Sequence, residues 1–335
     1  MLRRQMFGSR TAPTAVVDPP VVPMFGNGLH VPLAECDATL SLERLRAPAP
    51  PIHEGTFHVD WAGIRTRIGM LPWAPQWLAG TTSTELPIPT DGYRSEAEEY
   101  VALALSMTNS RETYRVAEVG AGWAPWAVMG VACASRLGKD ATGIAVEADP
   151  VRASWARQHA KDNEVDDRVR VVEAACWHSE TTLRFPVLDS EDMGGAVGGE
   201  GSNLCSRPSM DYRGAFFDHV DVPTVTLETV LAGEEPTDLL HIDLQGMELD
   251  VILPGLDLIE SKVRFLAVGT HNRYVEGVLQ KELLAREWAL IMESPCTAVF
   301  DGVKPTLTGF TVQDGNQFWA NSRFRDADPM IIRQR

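Results

Sequence analysis

Three groups of residues in this 335-residue chain have types and spacing that could do chemistry. The first is RVAEVGAGWAPW, Arg115 to Trp126. It reads as a short apolar strand running into a turn that opens a helix, with Gly120 and Gly122 supplying the backbone freedom of a tight turn. The second is Glu147, which ends another apolar run, Thr142 to Val146, 25 residues after Gly122. Backbone at glycines and a carboxylate on a ribose is how a parallel α/β sheet holds a nucleoside. The third is DLLHID, Asp238 to Asp243, an apolar strand ending on an acid. Ligands bind at the carboxyl ends of strands in open α/β sheets. Asp243 is therefore the expected catalytic carboxylate, with a helix cap as the plainer alternative.

Which nucleoside the turn accepts depends on what it lacks. Dinucleotide-binding proteins and S-adenosylmethionine methyltransferases both place a glycine turn after their first strand. Here Pro125 stands where GxGxxG would have its third glycine. That glycine lets a helix begin close to a pyrophosphate, and a cofactor without phosphate has no such need. Glu118 would sit badly beside a pyrophosphate but suits the cationic sulfonium or ammonium of S-adenosylmethionine. The methyl donor is favoured over NAD. An NAD-dependent oxidoreductase and a non-catalytic binding protein of the same fold are the alternatives.

Around Asp243 several residues compete for roles. His271 ends the strand VRFLAVGTH and would lie beside Asp243 if the two strands are neighbours. It could be a general base, a metal ligand or a hydrogen-bonded structural histidine. Glu248 falls in the first turn of the next helix, where the helix dipole stabilises an acid whatever its function. Whether a metal is required stays open; Asp243, His271 and Glu248 are its candidate ligands, and Mg²⁺ the candidate ion. His241 shares a strand face with Asp243 but lies deeper, as a satisfied core group would. Trp155 and His159, one helical turn apart, read as a packed pair. Glu99 and Tyr100 could reach the cofactor from the preceding helix. A sulfonium methyl needs an in-line nucleophile about 3 Å away, relieved of its proton. A neutral hydroxyl needs a base or a cation to become one. His271 with Asp243, or Mg²⁺ on Asp243 gripping a vicinal diol, would serve.

The elements that must position these groups follow from the pattern. Residues 1–55, rich in proline, predict an extended or disordered arm. Residues 56–110 predict cap or lid elements, among them a strand or hairpin at Phe57–Trp73 and a helix at Ser95–Met107 with a serine cap and early acids. From 111 to 325 strands and helices alternate. Strands are expected at Arg115–Val119, Ala141–Glu147, Arg168–Ala174, Asp238–Asp243 and Val263–His271. Helices are expected at Trp123–Leu137, at Pro150–Asp162 behind the cap Asp149, from Gly246, and at Val275–Arg286. Residues 177–188 suggest a hairpin, 189–215 a mobile Gly-rich loop, the stretch from Trp288 antiparallel strands, and 326–335 a tail. Such alternation implies a doubly wound, mostly parallel α/β sheet with helices on both faces.

Composition narrows the partners. A formal charge of −16 repels phosphate backbones and anionic membranes, so neither nucleic acid nor a membrane is an expected partner. Cys36, Cys133, Cys176, Cys205 and Cys296 are odd in number, without zinc spacing, and read as reduced thiols of a cytoplasmic protein. MLRRQMFGSR has no apolar segment behind its arginines and does not read as a secretory signal. Homo-oligomerisation stays open.

The segments EVGAGWAPW, VEADP, VEAAC, DLLHIDLQGMELDVI and GTHNRYVEG together resemble the FkbM family of S-adenosylmethionine-dependent methyltransferases. The resemblance spans Ser95 to Phe324, about two thirds of the chain. It implies a class I methyltransferase-like sheet of seven strands with the last antiparallel, an N-terminal extension, and methylation of a hydroxyl on a sugar or natural-product small molecule. Carried onto this sequence, Glu118, Gly120, Ala121, Gly122 and Trp123 would line the methionine part of the cofactor. Glu147 and Ala148 would meet the ribose. Glu173, Ala174 and Ala175 would border the adenine, and Asp243 would face the transferring methyl. Trp123 and Trp126 are bulky for such a turn, and Gln245 stands where many relatives carry an acid.

Overall fold

The computed structural model describes residues 38–48, 55–84, 93–94, 97–187, 218–300, 302 and 306–324. At its centre lies a seven-stranded sheet. Its strands are β1 (Thr113–Val119), β2 (Asp140–Glu147), β3 (Val169–Glu173), β4 (Thr237–Ile242), β5 (Val263–Thr270), β6 (Ala289–Ser294) and β7 (Gly315–Ala320). Their spatial order is β6-β7-β5-β4-β1-β2-β3, with β1 to β5 parallel and β7 antiparallel between β5 and β6. The expected α/β class, strand number and antiparallel last strand all hold. The strand order turns back between β1 and β4, which is where an open sheet leaves a crevice for a ligand.

Helices cover both faces. α1 (Ala38–Leu45), α2 (Ala97–Thr108), α3 (Pro125–Arg136) and α4 (Pro150–Asp162) lie on one side. α5 (Glu248–Ile252), α6 (Leu256–Lys262) and α7 (Arg273–Ala285) lie on the other. Alternation along β4 divides its residues between the two cores: Leu239 joins the first, Leu240 and Ile242 the second. A one-residue slip would turn Leu240 and Ile242 out of their core at about 1.5–3 kcal/mol per side chain. The register therefore locks His241 and Asp243 onto the opposite face.

Two expectations are corrected. Residues 38–45 of the supposed extended arm form a helix, because Leu42 and Leu45 bury themselves in the core shared with α2. The expected hairpin within 177–188 is not local: Thr182–Pro186 pairs antiparallel with His219–Val225, which no short-range pattern could reveal. The Gly-rich segment 189–215, the tail 326–335 and most of the arm lie outside the described residues, apart from the helix just named.

The cap elements are fastened rather than loose. Strands Phe57–Val59 and Arg65–Arg67 form the expected hairpin. Arg67 pairs with Asp162 at 2.7 Å, and the Arg65 N–H donates to Asn163 Oδ1 at 2.9 Å, tying the hairpin to the end of α4. Arg94 joins Asp60 at 2.5 Å and donates to the Tyr100 hydroxyl at 2.9 Å, tying it to α2. Among the described residues no helix is long and apolar enough to cross a membrane. Cys133, Cys176 and Cys296 are free and buried.

Candidate active site

The glycine turn closes against β4. Gly120, at φ +75°, and Ala121 both donate their N–H to the Val146 carbonyl at 3.0 Å. The Asp243 N–H donates to the Val119 carbonyl at 2.9 Å. A Cβ on Gly120 would stand 2.9 Å from the Asp243 carbonyl carbon and closer still to its oxygen, so only glycine fits. Gly122, at φ +55°, differs: a Cβ there would meet nothing within 4 Å. The turn is thus sealed at its first glycine and open at its second.

Behind the turn α3 starts without help from its own cap. Ala124 is held in the left-handed region at φ +57° and offers no side-chain acceptor, and Pro125 has no N–H. The first free donors are Trp126 and Ala127, and both give their N–H to Glu118, at 3.3 and 2.6 Å. Glu118 was expected to line the methionine part of the cofactor. Instead its buried carboxylate caps α3 from the neighbouring strand, where the helix dipole also favours it. Burial pushes it up to about 8, against the pull of His241 and the Ala127 and Trp126 N–H groups.

Trp123 is likewise turned inward, its ring 5.8 Å from that of Trp73, which in turn lies 5.9 Å from Trp155. Its carbonyl accepts from His159 Nδ1 at 3.1 Å. Burial lowers His159 to about 4, so the ring is neutral and works as a donor to the turn. His159 holds the turn, where the sequence suggested only a packed pair with Trp155.

Glu147 forms the floor. One oxygen accepts from the Gly122 N–H at 2.7 Å and the other from the Asp149 N–H at 2.8 Å. Burial raises it to about 7, although both N–H groups oppose the shift. Ala148 is buried beside it, and Asp149 caps α4 by accepting from the Arg152 N–H at 2.8 Å, as its sequence context suggests. Beyond β3, the Ala174 N–H donates to the Glu147 carbonyl at 2.9 Å, and Ala174 and Ala175 present small buried side chains. Glu173, expected beside the adenine, instead bonds Arg157 at 3.1 Å on the surface.

Asp243 lies at the carboxyl end of β4 with its side chain 26% exposed. Gly269 of β5 makes room for it: a Cβ there would press on the Asp243 carboxyl carbon at 3.2 Å. β4 and β5 are neighbours, as the pairing of Asp243 with His271 requires. His271 Nε2 stands 3.3 Å from Asp243 Oδ1 and 4.0 Å from Asp314 Oδ2. On its far side Nδ1 donates to Glu248 Oε1 at 2.8 Å. Burial alone would lower this histidine, but Glu248, Asp243 and Asp314 outweigh it and push His271 up to about 10. In this arrangement the ring is an imidazolium at neutral pH and has no lone pair with which to act as general base.

The loop after β4 is shaped around the same groups. Gln245, at φ +55°, donates its amide to Asp243 Oδ1 at 2.9 Å, a bond a carboxylate there could not donate. Glu248 Oε1 also accepts the N–H groups of Leu244 and Gly246, at 3.2 and 2.9 Å. Its second oxygen is buried with no hydrogen-bond partner. Asp243, Glu248 and His271 each offer a metal-ligating atom, all within 4.8 Å of one another. Deeper on the same strand face His241 Nε2 pairs with Glu99 Oε1 at 2.5 Å, so Glu99 is committed to the core rather than to the cofactor. Tyr100 stacks edge-on against Trp126 at 4.8 Å and is committed there too.

Sequence reasoning missed Asp314, Gly269 and the capping role of Glu118. Asp314 directly precedes β7 and gave no signal, since only the insertion of β7 beside β5 brings it near His271. The hairpin before it, with strands Thr297–Ala298 and Thr311–Gln313, is rooted at the site. Thr311 Oγ1 donates to the His271 carbonyl at 2.6 Å, while Val299, Phe300 and Val312 are exposed on the hairpin.

Residues 127–286 match the FkbM methyltransferase domain. The chain is 33% identical over 244 residues to a protein of Jannaschia sp. (strain CCS1) assigned by name to the methyltransferases, covering 72% of this chain and 85% of that one. Among solved structures it is similar to the N-terminal domain of human METTL16 in complex with SAH. That likeness has 12% identity and a TM-score of 0.38, over 70% of this chain and 72% of that one. It is also similar to the precorrin-6y C5,15-methyltransferase of Geobacter metallireducens GS-15, with 14% identity and a TM-score of 0.36, over 68% and 89%.

Proposed function

Since the chain belongs to the FkbM methyltransferase family, we propose that it moves the methyl group of S-adenosylmethionine onto a hydroxyl oxygen of a small molecule such as a sugar or natural product. The observation that carries this reading is the turn itself. It is open at Gly122, floored by the buried carboxylate of Glu147, and sealed at Gly120 against the backbone of Asp243 itself. Those residues fit the cofactor: an open backbone edge for its body, and an acid for ribose hydroxyls. S-adenosylmethionine, when bound, supplies a methyl group on a positively charged sulfur.

The chain's own residues do the rest. A carboxylate has about four lone-pair sites, so Glu147 can accept ribose hydroxyls while keeping the Gly122 and Asp149 N–H groups. Asp243 takes the proton of the acceptor hydroxyl. Gln245 and His271 both address its Oδ1, fixing the carboxylate in orientation and leaving Oδ2 for the acceptor. Positioning of this kind is worth several orders of magnitude in rate. The apolar side chains on the hairpin rooted at His271 favour an acceptor with an apolar body. The −16 charge favours a small molecule over nucleic acid.

Calorimetry with S-adenosylmethionine and S-adenosylhomocysteine tests the cofactor, and labelled-methyl transfer to hydroxyl compounds tests the reaction. Both ligands should bind, and Glu147→Ala should weaken both. Heat with NAD but with neither of the two would sink the proposal.

A further inference from the structure

We infer that Arg115 and Arg264 form a binding site for a phosphoryl group at the amino end of the sheet, at the opposite end of the strand that presents Asp243. There β1 and β5 flank β4. Val116 pairs with Leu239, and Val263 and Phe265 pair with Thr237 and Leu239, so Arg115, Asp238 and Arg264 stand side by side on three adjacent strands. Alternation puts all three on the face of Ala117, Leu240 and Leu266, which share the second core. Two strand spacings of about 4.8 Å set the backbones of the two arginines about 10 Å apart. Two hydrogen bonds of about 2.9 Å with a phosphoryl group between them fill such a gap.

The charges at this end of the sheet do not balance. Asp238 gives one oxygen to the Arg115 backbone N–H, at 2.9 Å, and the other lies 3.4 Å from Arg264 Nε. The Arg115 guanidinium itself has no hydrogen bond and no ion pair among the described residues, and its Nε is buried. Buried charged groups are ordinarily paired, so this fork calls for an acceptor. Arg264 lies over the Phe324 ring at 5.1 Å, a contact that leaves its N–H edge open. Lys139 donates to the Ser110 and Arg111 carbonyls, and Lys262 to that of Gly233, whose Cβ would stand 3.8 Å from Arg115 Nη1. Both lysines keep their charge without an acid, and four cations share one carboxylate. Burial raises Asp238 to about 6, against Arg115 and Arg264, so it takes a proton readily when an anion arrives. A carboxylate ligand presents both oxygens to one side and suits a single arginine, whereas a phosphoryl group presents oxygens to both flanks. Repulsion from distant acids of the chain is screened beyond about 10 Å at 0.1 M salt. The site stands apart from the methyl-transfer reading.

Titration calorimetry of the full-length protein with inorganic phosphate, against sodium chloride of equal ionic strength, tests the site. One equivalent of phosphate should bind saturably. Arg115→Gln and Arg264→Gln, which keep long polar side chains at part-exposed positions, should each weaken it roughly tenfold or more. Glu147→Ala, at the far end of the sheet, should leave it unchanged. Glycerol 3-phosphate separates the sources: tighter binding than inorganic phosphate assigns the site to a phosphate ester, and weaker binding to the free ion. No saturable phosphate binding overturns the inference, as does unchanged affinity in both arginine variants. Loss of binding in Glu147→Ala would put the phosphate in the cofactor site, and acetate binding as tightly as phosphate would remove the phosphoryl assignment; either overturns it too.

Discussion

Alanine at Gly120 and alanine at Gly122 should fail in opposite ways. Both glycines have positive φ, so either substitution places an L residue in the left-handed region at about 1–2 kcal/mol. Part of that, about 0.4–1 kcal/mol, is recovered through a less flexible unfolded chain. At Gly122 the new methyl meets no neighbour, so the net cost is about 1 kcal/mol and the melting temperature should fall by about 2–4 °C. At Gly120 the methyl collides with the Asp243 backbone, which cannot rotate away as a side chain could. Overpacking adds about 1–3 kcal/mol or more, so a fall of roughly 10 °C is expected. Ligand binding should invert the order. On the proposed reading the cofactor approaches the open space beside Gly122, so Gly122→Ala should raise the Kd for S-adenosylhomocysteine at least tenfold, about 1.4 kcal/mol. Differential scanning calorimetry and titration calorimetry on the two variants read both quantities. A Gly120→Ala protein as stable as its parent, or a Gly122→Ala protein with unchanged affinity, would refute the division of the turn into a sealed and an open half.

Asp243→Asn keeps the shape of the side chain but cannot take a proton. Turnover in a labelled-methyl assay should drop by about 10²–10⁴ with S-adenosylhomocysteine affinity retained, and full activity would make Asp243 structural. His159 titrates well below its ordinary value, so the unfolded chain gains a proton near pH 6.5 that the folded chain refuses until about 4. Stability should therefore fall as pH drops through that window, and His159→Gln should flatten the fall in urea titrations. Glu118 has the opposite sign: held up at about 8, it keeps a proton that the unfolded chain releases near 4.3. Stability should decline as pH rises from about 4 to 8 and level off beyond. Glu147, raised to about 7, adds to that decline, and Glu118→Gln should shrink it.

The strands, the glycine turn and Glu147 were legible because each is written in a few adjacent residues. A run such as DLLHID can only be a buried strand, and its last acid must emerge at the strand's end. The proximity of His271 to Asp243 followed from one assumption, that their strands are neighbours, and that assumption holds. What escaped were contacts made across the sheet. Glu118 looked like a ligand because it stands in the turn motif, yet the unassisted start of α3 claims both its oxygens. Trp123 looked like a cofactor contact for the same reason, but Trp73 gives it a partner from a distant cap element. The raised His271 depends on Glu248, Asp243 and Asp314, and none of these acids is close to it in sequence.

The indoles of Trp73, Trp123 and Trp155 give the turn an optical property of its own. Their rings are tilted at 55° and 54° and lie under 6 Å apart in successive pairs, with Trp123 carried by the turn and Trp73 by the cap. Chromophores so close and so oriented exchange excitation, and their near-ultraviolet dichroism depends on the angle between them. Any shift of the turn against the cap is therefore written into the absorption of the native chain. Such a shift can be followed without a dye, a label or a turnover.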